Sequence, residues 1–272
     1  THEAFKRIDL LNQIKIDGVE LFVKSIKEHR FVLVMRGEQL GAAVSETDPL
    51  HTGETPKKAS GKDTASERTA DVVNQFCIKA RLALKEYSPA NGILLRGFDK
   101  LPVVPLYTDL FKLNAAAIAV NGMYKGVARL VGMHNLSVDG STIADEFATL
   151  EKNWQDFDFF YLHVKQTDTA GEDGDFDRKV KVIEEVDSMI PRLTALNPDV
   201  IIVSGDHSSP SVLKFHSWHP VPTILYSEVV RPDGIAHFGE RDCLKGSLGV
   251  LPAKEIMPLA MANAFRISKY GA

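Results

Sequence analysis

Carboxylate and imidazole side chains follow two apolar segments of the sequence and precede a third. The apolar segments are residues 157–164, 199–204 and 220–227. The side chains with metal-ligating groups beside them are Asp168, Glu172, Asp206, His207 and His216. Carboxylate oxygens and imidazole nitrogens of this kind bind Zn²⁺ or Mn²⁺. Two such ions close together would suit phosphoryl transfer, because they neutralise the transferred group and activate the attacking oxygen.

Single polar residues at strand ends have a simpler interpretation. One acid or histidine in such a place is more often part of a turn or a helix cap than a ligand. Three clusters at successive strand ends favour a metal site, although their spacing is less specific than paired CxxC motifs. We interpret His219, which precedes Pro220, as a loop residue. His163 is expected to be buried and hydrogen-bonded, and Lys165 to approach a substrate phosphate or to be solvated.

Apolar periodicity places the candidate ligands on an α/β framework. The three apolar segments predict strands, an amphipathic pattern predicts a helix over 176–196, and the acidic, glycine-rich residues after 164 predict a loop. This order implies a mainly parallel sheet covered by helices. Ligands of such sheets bind beyond the carboxyl ends of the strands, where the candidate residues are expected.

The beginning of the chain carries its own set of elements. Residues 1–24 predict a helix and then a strand, residues 29–37 predict a second strand, and residues 66–87 predict an amphipathic helix capped by Ser66. The segment 41–66 is rich in Thr, Pro, Lys, Ser and Gly, which predicts a long surface loop.

The amino-acid composition argues against nucleic acids and membranes as partners. The 272 residues carry a formal charge of −4, with 44% hydrophobic and 25% charged residues, as in ordinary globular proteins. The absence of a basic excess argues against nucleic-acid binding, and the sequence has no apolar run of about 18 residues that would span a membrane. Two cysteines without CxxC spacing, Cys77 and Cys243, argue against a disulfide scaffold and predict a cytoplasmic protein.

Several segments together resemble the archaeal-type cofactor-independent (2,3-bisphosphoglycerate-independent) phosphoglycerate mutases of the alkaline phosphatase superfamily. They are TDTAGEDGDFDRKVKVIEEVD, VSGDHSSP, KFHSWHPVP and KYGA, and the resemblance extends along the whole chain. It implies an α/β fold with an alkaline-phosphatase-like, mainly parallel sheet core flanked by helices and a smaller inserted α/β domain. Residues 1–90 would form the inserted substrate-binding domain, and residues 91–272 the metal-binding core.

The resemblance also implies a glycolytic reaction and its cofactors. A phosphoryl group moves between the 3- and 2-positions of glycerate through a phosphoserine, with two divalent ions: Mn²⁺ or Zn²⁺, with Mg²⁺ as an alternative. Asp168, Glu172 and His216 match the ligands of one ion, and Asp206 and His207 those of the other. The family often has histidine where this sequence has Glu172, which leaves the metal preference of that site open.

The catalytic serine of the family has no match in this sequence. The family places it, with an aspartate, in an N-terminal segment that residues 1–30 do not resemble. Ser208, Ser209 and Ser217 lie near the candidate ligands but do not match its motif. We therefore interpret the chain as a fragment that lacks the nucleophile and is inactive by itself, and the catalytic residues stay unassigned.

Phosphoglycerate carries a carboxylate and a phosphate, so cationic side chains are the candidates for substrate binding. Guanidinium groups match planar anions with paired donors, and Arg36, at the end of the predicted strand 29–37, is the first candidate. The others are His29, Arg30, His51, Arg96 and Lys125. Surface charge beside a strand is the alternative for Arg30 and Arg36. KKASGK lacks the spacing of a phosphate-binding loop.

Two other functions stay open at this point. A related metal-dependent phosphohydrolase or phosphonate-handling enzyme would use the same ligands and transfer the phosphoryl group of the phosphoserine to water. A catalytically silent binding or structural domain would hold a metal without forming a phosphoenzyme. The sequence does not indicate an oligomeric state.

Overall fold

The computed structural model describes residues 2–27 and 29–267. The chain divides into two compact units, Thr1–Val103 and Val104–Ala272. Leu95, which we placed in the core domain, belongs to the hydrophobic cluster of the first unit. The roles predicted for the two domains stay predictions. The segment KYGA lies outside the described residues.

The first unit contains the elements predicted from its periodicity. They are α1 (His2–Asn12), β1 (Glu20–Lys27), β2 (Arg30–Arg36) and α2 (Thr64–Ala83). β1 and β2 pair antiparallel, and exposed side chains alternate with half-buried ones along β2. The half-buried side chains of the hairpin pack against a cluster that includes Phe76 of α2. Apolar area removed from water therefore stabilises this unit.

The N-cap of α2 is Asp63, so the prediction of Ser66 as the cap is wrong. A carboxylate oxygen of Asp63 accepts a hydrogen bond from the backbone N–H of Ser66 at 2.8 Å. Ser66 instead lies in the first turn, where its hydroxyl accepts a hydrogen bond from the backbone N–H of Ala43 at 3.1 Å. Asp and Ser are both common N-cap residues. Here the hydroxyl of Ser66 is already bonded to Ala43, so Asp63 caps the helix.

The second unit is built on a three-stranded parallel sheet. Its strands are β3 (Ala115–Ala119), β4 (His134–Asn135) and β5 (Phe159–His163), in the order β4-β3-β5. The helices are α3 (Tyr107–Phe111), α4 (Gly122–Leu130), α5 (Ile143–Lys152), α6 (Gln166–Asp173), α7 (Phe176–Thr194), α8 (Glu240–Cys243) and α9 (Ile256–Asn263). β3 is buried throughout, and its small alanines leave room for α4 and α5 to pack against it. The predicted parallel sheet flanked by helices is confirmed.

The acidic, glycine-rich segment after β5 was predicted as a loop, but it folds as the helix α6. Gly171 packs closely against the backbone of Ser209. A Cβ atom at position 171 would lie only 2.2 Å from the carbonyl oxygen of Ser209. Gly174 ends the helix with a left-handed φ of 74°. Glycine therefore serves close packing and helix termination here instead of breaking the helix.

A separate two-stranded sheet is formed by β6 (Val200–Ser204) and β7 (Thr223–Ser227). The two strands run antiparallel, whereas the order of elements led us to expect parallel strands. Parallel neighbours need a long crossover, usually a helix. The connection 205–222 is described throughout and contains turns but no helix, so the chain reverses direction.

None of the helices in the described part of the chain has the length and apolar character needed to cross a bilayer. Both cysteines, Cys77 and Cys243, are free thiols.

Candidate metal centre

The five predicted metal ligands all lie in the second unit. Asp168 and Glu172 stand four residues apart on α6, so they share one face of that helix. Asp206 and His207 follow β6 after one intervening glycine, and His216 lies in the connection to β7. Their positions after β5 and β6 agree with the expected location beyond the ends of strands.

The structure brings these five side chains together. His216 Nε2 lies 3.4 Å from Asp168 Oδ1 and 3.3 Å from Glu172 Oε1. His207 lies between two carboxylates, with Nδ1 3.7 Å from Asp168 Oδ1 and Nε2 3.5 Å from Asp206 Oδ2. The centroids of the two imidazole rings are 3.8 Å apart. Three carboxylates and two imidazoles thus form one continuous group.

Three of these residues have donor atoms spaced closely enough to share a cation. One donor atom from each of Asp168, His207 and His216 lies within 4.8 Å of the other two. Ligand atoms about 2 Å from a Zn²⁺ ion stand roughly 3 to 4 Å apart, so a small contraction brings this set to binding distance. Within the described ranges, this is the one group of three or more His, Cys, Asp or Glu donors with such spacing. The donor set therefore fits a divalent ion.

Two residues without a predicted ligand role hold Asp168 in place. Lys165 Nζ and Ser209 Oγ both donate hydrogen bonds to its carboxylate, so Lys165 is paired with a neighbouring acid. Ser209 is only 4% exposed, and its Oγ lies 3.1 Å from His207 Nδ1. Lys179 Nζ donates to the Ser209 carbonyl at 2.6 Å. Ser209 thus orients two candidate ligands, and only its place beside the Asp-His pair signals this in the sequence.

Both central aspartates stay ionised despite partial burial. Burial alone would raise the pKa of Asp168, but hydrogen bonds from Lys165 and Ser209 outweigh it and hold that pKa below its usual value. Burial likewise opposes ionisation of Asp206, whose pKa is nevertheless lowered by a hydrogen bond from Tyr124. Ionised carboxylates are the form that binds a cation.

The remaining histidines nearby lie outside the three-residue group. His163 is half-buried, whereas we expected it to be buried, and its Nε2 lies 3.8 Å from Asp206 Oδ2. Among the described residues its Nδ1 has no hydrogen-bond partner, so the predicted hydrogen bonding is absent at that atom. Burial lowers the pKa of His163, which favours its neutral form. His219 lies in the connection to β7, with Nδ1 2.9 Å from Ser217 Oγ.

The substrate-binding candidates divide between the two units. Lys125 lies on α4 in the second unit, and the first unit holds His29, Arg30, Arg36, His51 and Arg96. The guanidinium of Arg36 lies 4.8 Å from the ring centroid of Phe22, and it is 4.0 Å from Glu20. Arg96 lies 3.5 Å from Asp48. His29, Arg30 and His51 are exposed. Substrate binding by any of the six stays a prediction.

Comparisons with known proteins identify the family. Residues 12–263 match the metalloenzyme superfamily. A protein of Thermotoga sp. (strain RQ2), named "Probable 2,3-bisphosphoglycerate-independent phosphoglycerate mutase", is 46% identical over 100% of this chain and 68% of its own length. A protein of Aquifex aeolicus with the same name is 45% identical over 95% of this chain and 64% of its own length.

Two solved structures share the fold. The structure of the PH0037 protein from Pyrococcus horikoshii matches 100% of this chain and 71% of its own, with a TM-score of 0.81 and 27% identity. The cofactor-independent phosphoglycerate mutase from Thermoplasma acidophilum matches 95% of this chain and 69% of its own, with a TM-score of 0.70 and 26% identity. The resemblance inferred from the motifs is confirmed. The chain belongs to the metalloenzyme superfamily and, within it, to the 2,3-bisphosphoglycerate-independent phosphoglycerate mutases.

Proposed function

We propose that this chain carries the metal-binding part of an enzyme that interconverts 3-phosphoglycerate and 2-phosphoglycerate, a step of glycolysis. The observation that carries the proposal is the convergence of Asp168, His207 and His216 in a member of a family whose relatives are named for this reaction. Glu172 and Asp206 extend the same group. The reaction returns the phosphoryl group to glycerate, so the site must exclude water from that group during transfer.

The contacts suggest how the ligands are shared between two ions. Glu172 lies beside His216 and Asp206 lies beside His207, which supports one ion at each pair. Asp168 lies within 4 Å of both histidines, and the motif resemblance assigns it to the ion of Glu172 and His216. Bound divalent ions would supply positive charge that stabilises the phosphoryl group as it is transferred. Mixed carboxylate and imidazole donors favour Mn²⁺ or Zn²⁺ over Mg²⁺.

The residues around the ligands would order the site. Ser209 fixes the carboxylate of Asp168 and the ring of His207 through one hydroxyl. Lys165 balances the charge of Asp168. The substrate is proposed to be phosphoglycerate, with Lys125 and the first-unit cations retained as candidates for its anionic groups. A cytoplasmic location is retained on the basis of the reaction and the two free cysteines.

Metal binding by the 272-residue chain is the first test. The chain is dialysed against Mn²⁺ or Zn²⁺, and its metal content is measured by mass spectrometry for the wild type, Asp168→Ala and His216→Ala. Both variants should lose metal, since each removes a donor of the three-residue group. His219→Ala removes a neighbouring histidine that bonds to Ser217 and should keep the wild-type content. Unchanged metal in Asp168→Ala and His216→Ala would refute the ligand assignment.

The reaction is tested on the complete gene product that contains these residues. With Mn²⁺ and no added 2,3-bisphosphoglycerate, ³¹P NMR should show 3-phosphoglycerate converting to 2-phosphoglycerate. Release of inorganic phosphate from many esters would instead indicate a phosphohydrolase. A folded, metal-loaded protein that does not interconvert 3-phosphoglycerate and 2-phosphoglycerate would contradict the proposal.

A further inference from the structure

Tyr124 contacts the candidate metal centre from an element that supplies none of the predicted ligands. It lies on α4 and is only 7% exposed. Its hydroxyl donates a hydrogen bond to Asp206 Oδ2 at 2.5 Å. Its ring stacks on the imidazole of His163, with centroids 3.4 Å apart and planes at 25°. The hydroxyl is therefore held in one place by the packing of the ring.

The carboxylate of Asp206 is held at both oxygens. Oδ2 accepts the hydrogen bond from Tyr124, and Oδ1 accepts a hydrogen bond from the backbone N–H of His207 at 3.1 Å. These two contacts define the plane of the carboxylate. The side chain of Asp206 is still 39% exposed, so its remaining lone pairs are accessible to an ion.

A tyrosine has a specific chemical advantage in this position. The hydroxyl of Tyr124 is an uncharged hydrogen-bond donor. A lysine or arginine would orient the carboxylate equally well but would neutralise its charge, which weakens attraction for a cation. A neutral donor orients the carboxylate and leaves its full charge for the ion.

We infer that Tyr124 is a positioning residue for Asp206: its hydroxyl holds the carboxylate in the orientation that binds a divalent cation together with His207. This inference rests on the proposed function, because it presupposes that Asp206 is a ligand. Hydrogen-bond partners of metal ligands typically change metal affinity by about 10- to 100-fold when they are removed. Loss of the single hydroxyl is therefore expected to weaken Mn²⁺ binding roughly tenfold.

The test measures Mn²⁺ affinity of the 272-residue chain by isothermal titration calorimetry. Tyr124→Phe keeps the ring that stacks on His163 and removes only the hydroxyl. Tyr107→Phe is the matched control, because Tyr107 is a buried tyrosine of the same unit whose hydroxyl bonds to Met257 Sδ at 2.9 Å. Tyr124→Phe should raise the Mn²⁺ dissociation constant about tenfold, whereas Tyr107→Phe should leave it unchanged. Thermal unfolding followed by circular dichroism verifies that both variants are folded.

A second experiment separates positioning of Asp206 by Tyr124 from a general effect of Tyr124 on packing. In chains that carry Asp206→Asn, the remaining Mn²⁺ binding should be the same with and without Tyr124→Phe, since the hydroxyl acts through Asp206. Further weakening in that background would overturn the positioning role, as would a wild-type dissociation constant in Tyr124→Phe alone. A wild-type chain that binds no Mn²⁺ would instead overturn the metal centre itself, and the role of Tyr124 with it.

Discussion

Glu146 is the buried acid with the clearest consequence for stability. It lies on α5 and its side chain is 0% exposed. Among the residues that the structure describes, neither of its carboxylate oxygens has a hydrogen-bond partner. Burial raises the pKa of Glu146 to about 7, with a smaller contribution from the negative charge of Asp145. Glu146 is therefore largely protonated in the folded protein at mildly acidic pH.

The raised pKa makes stability depend on pH in a defined direction. In the unfolded chain the pKa of this carboxyl returns to its ordinary value of 4.5. Between pH 4.5 and about 7 the unfolded chain releases the proton while the folded protein keeps it, so stability falls as the pH rises. Each pH unit of this interval lowers the free energy of unfolding by about 1.4 kcal/mol. The total loss, once the pH exceeds 7, is therefore about 3 kcal/mol.

Glu146→Gln removes this titration while keeping the shape of the protonated side chain. The free energy of unfolding in urea is compared with the wild type at pH values from 5 to 8. The two proteins should be similar near pH 5, and the variant should be more stable by up to about 3 kcal/mol at pH 8. Taking the difference cancels the titration of the other carboxyl groups.

Glu151 on the same helix provides a control of opposite sign. Hydrogen bonds from Arg192 at 2.7 and 2.6 Å lower the pKa of Glu151. Glu151→Gln should therefore destabilise the protein at neutral pH, and this loss should shrink as the pH falls below the ordinary value of 4.5. A pH-independent difference between Glu146→Gln and the wild type would refute the reasoning, since it would mean that Glu146 titrates alike in both states.

Three further substitutions test the local packing and a helix cap. Gly171→Ala places a Cβ atom 2.2 Å from the Ser209 carbonyl oxygen and should lower stability by about 1–3 kcal/mol and weaken Mn²⁺ binding in calorimetry. Gly126→Ala, on α4 with nothing within 4 Å of the added carbon, should instead be neutral or slightly stabilising; equal losses would count against the packing explanation. Thr142→Ala removes the hydroxyl that accepts a hydrogen bond from the Asp145 N–H in the capping box of α5. It should lower the free energy of unfolding in urea by about 1 kcal/mol. An unchanged unfolding midpoint would contradict the role of the cap.

Elements with a strong local pattern were predictable from the sequence. The apolar repeat over 176–196 corresponds to α7 (Phe176–Thr194), and the apolar segment 199–204 to β6 (Val200–Ser204). Such patterns are local, because one face of a helix or strand must meet the core wherever that core lies. The cap of α2 was missed because Asp63 and Ser66 are both good cap residues, and a contact with Ala43 decides between them.

The sequence indicated which residues would gather at the candidate metal centre, but not the distances between them. Motif resemblance assigned His207 to a different ion from Asp168, yet the structure places its Nδ1 3.7 Å from that carboxylate. Ser209 and Tyr124 contact candidate ligands on other elements. Sequence spacing does not report these distances, since they depend on how helices pack against strands.

The sequence by itself determined the α/β character, the family and the residue types that gather at the strand ends, because these follow from local periodicity and short motifs. Only the tertiary structure decided that the segment of Gly171 is a helix, that β7 runs antiparallel to β6, and that Tyr124 reaches Asp206. Each of these features depends on the approach of chain segments that are distant in sequence, and local preferences for glycine, acids or apolar residues do not specify that approach.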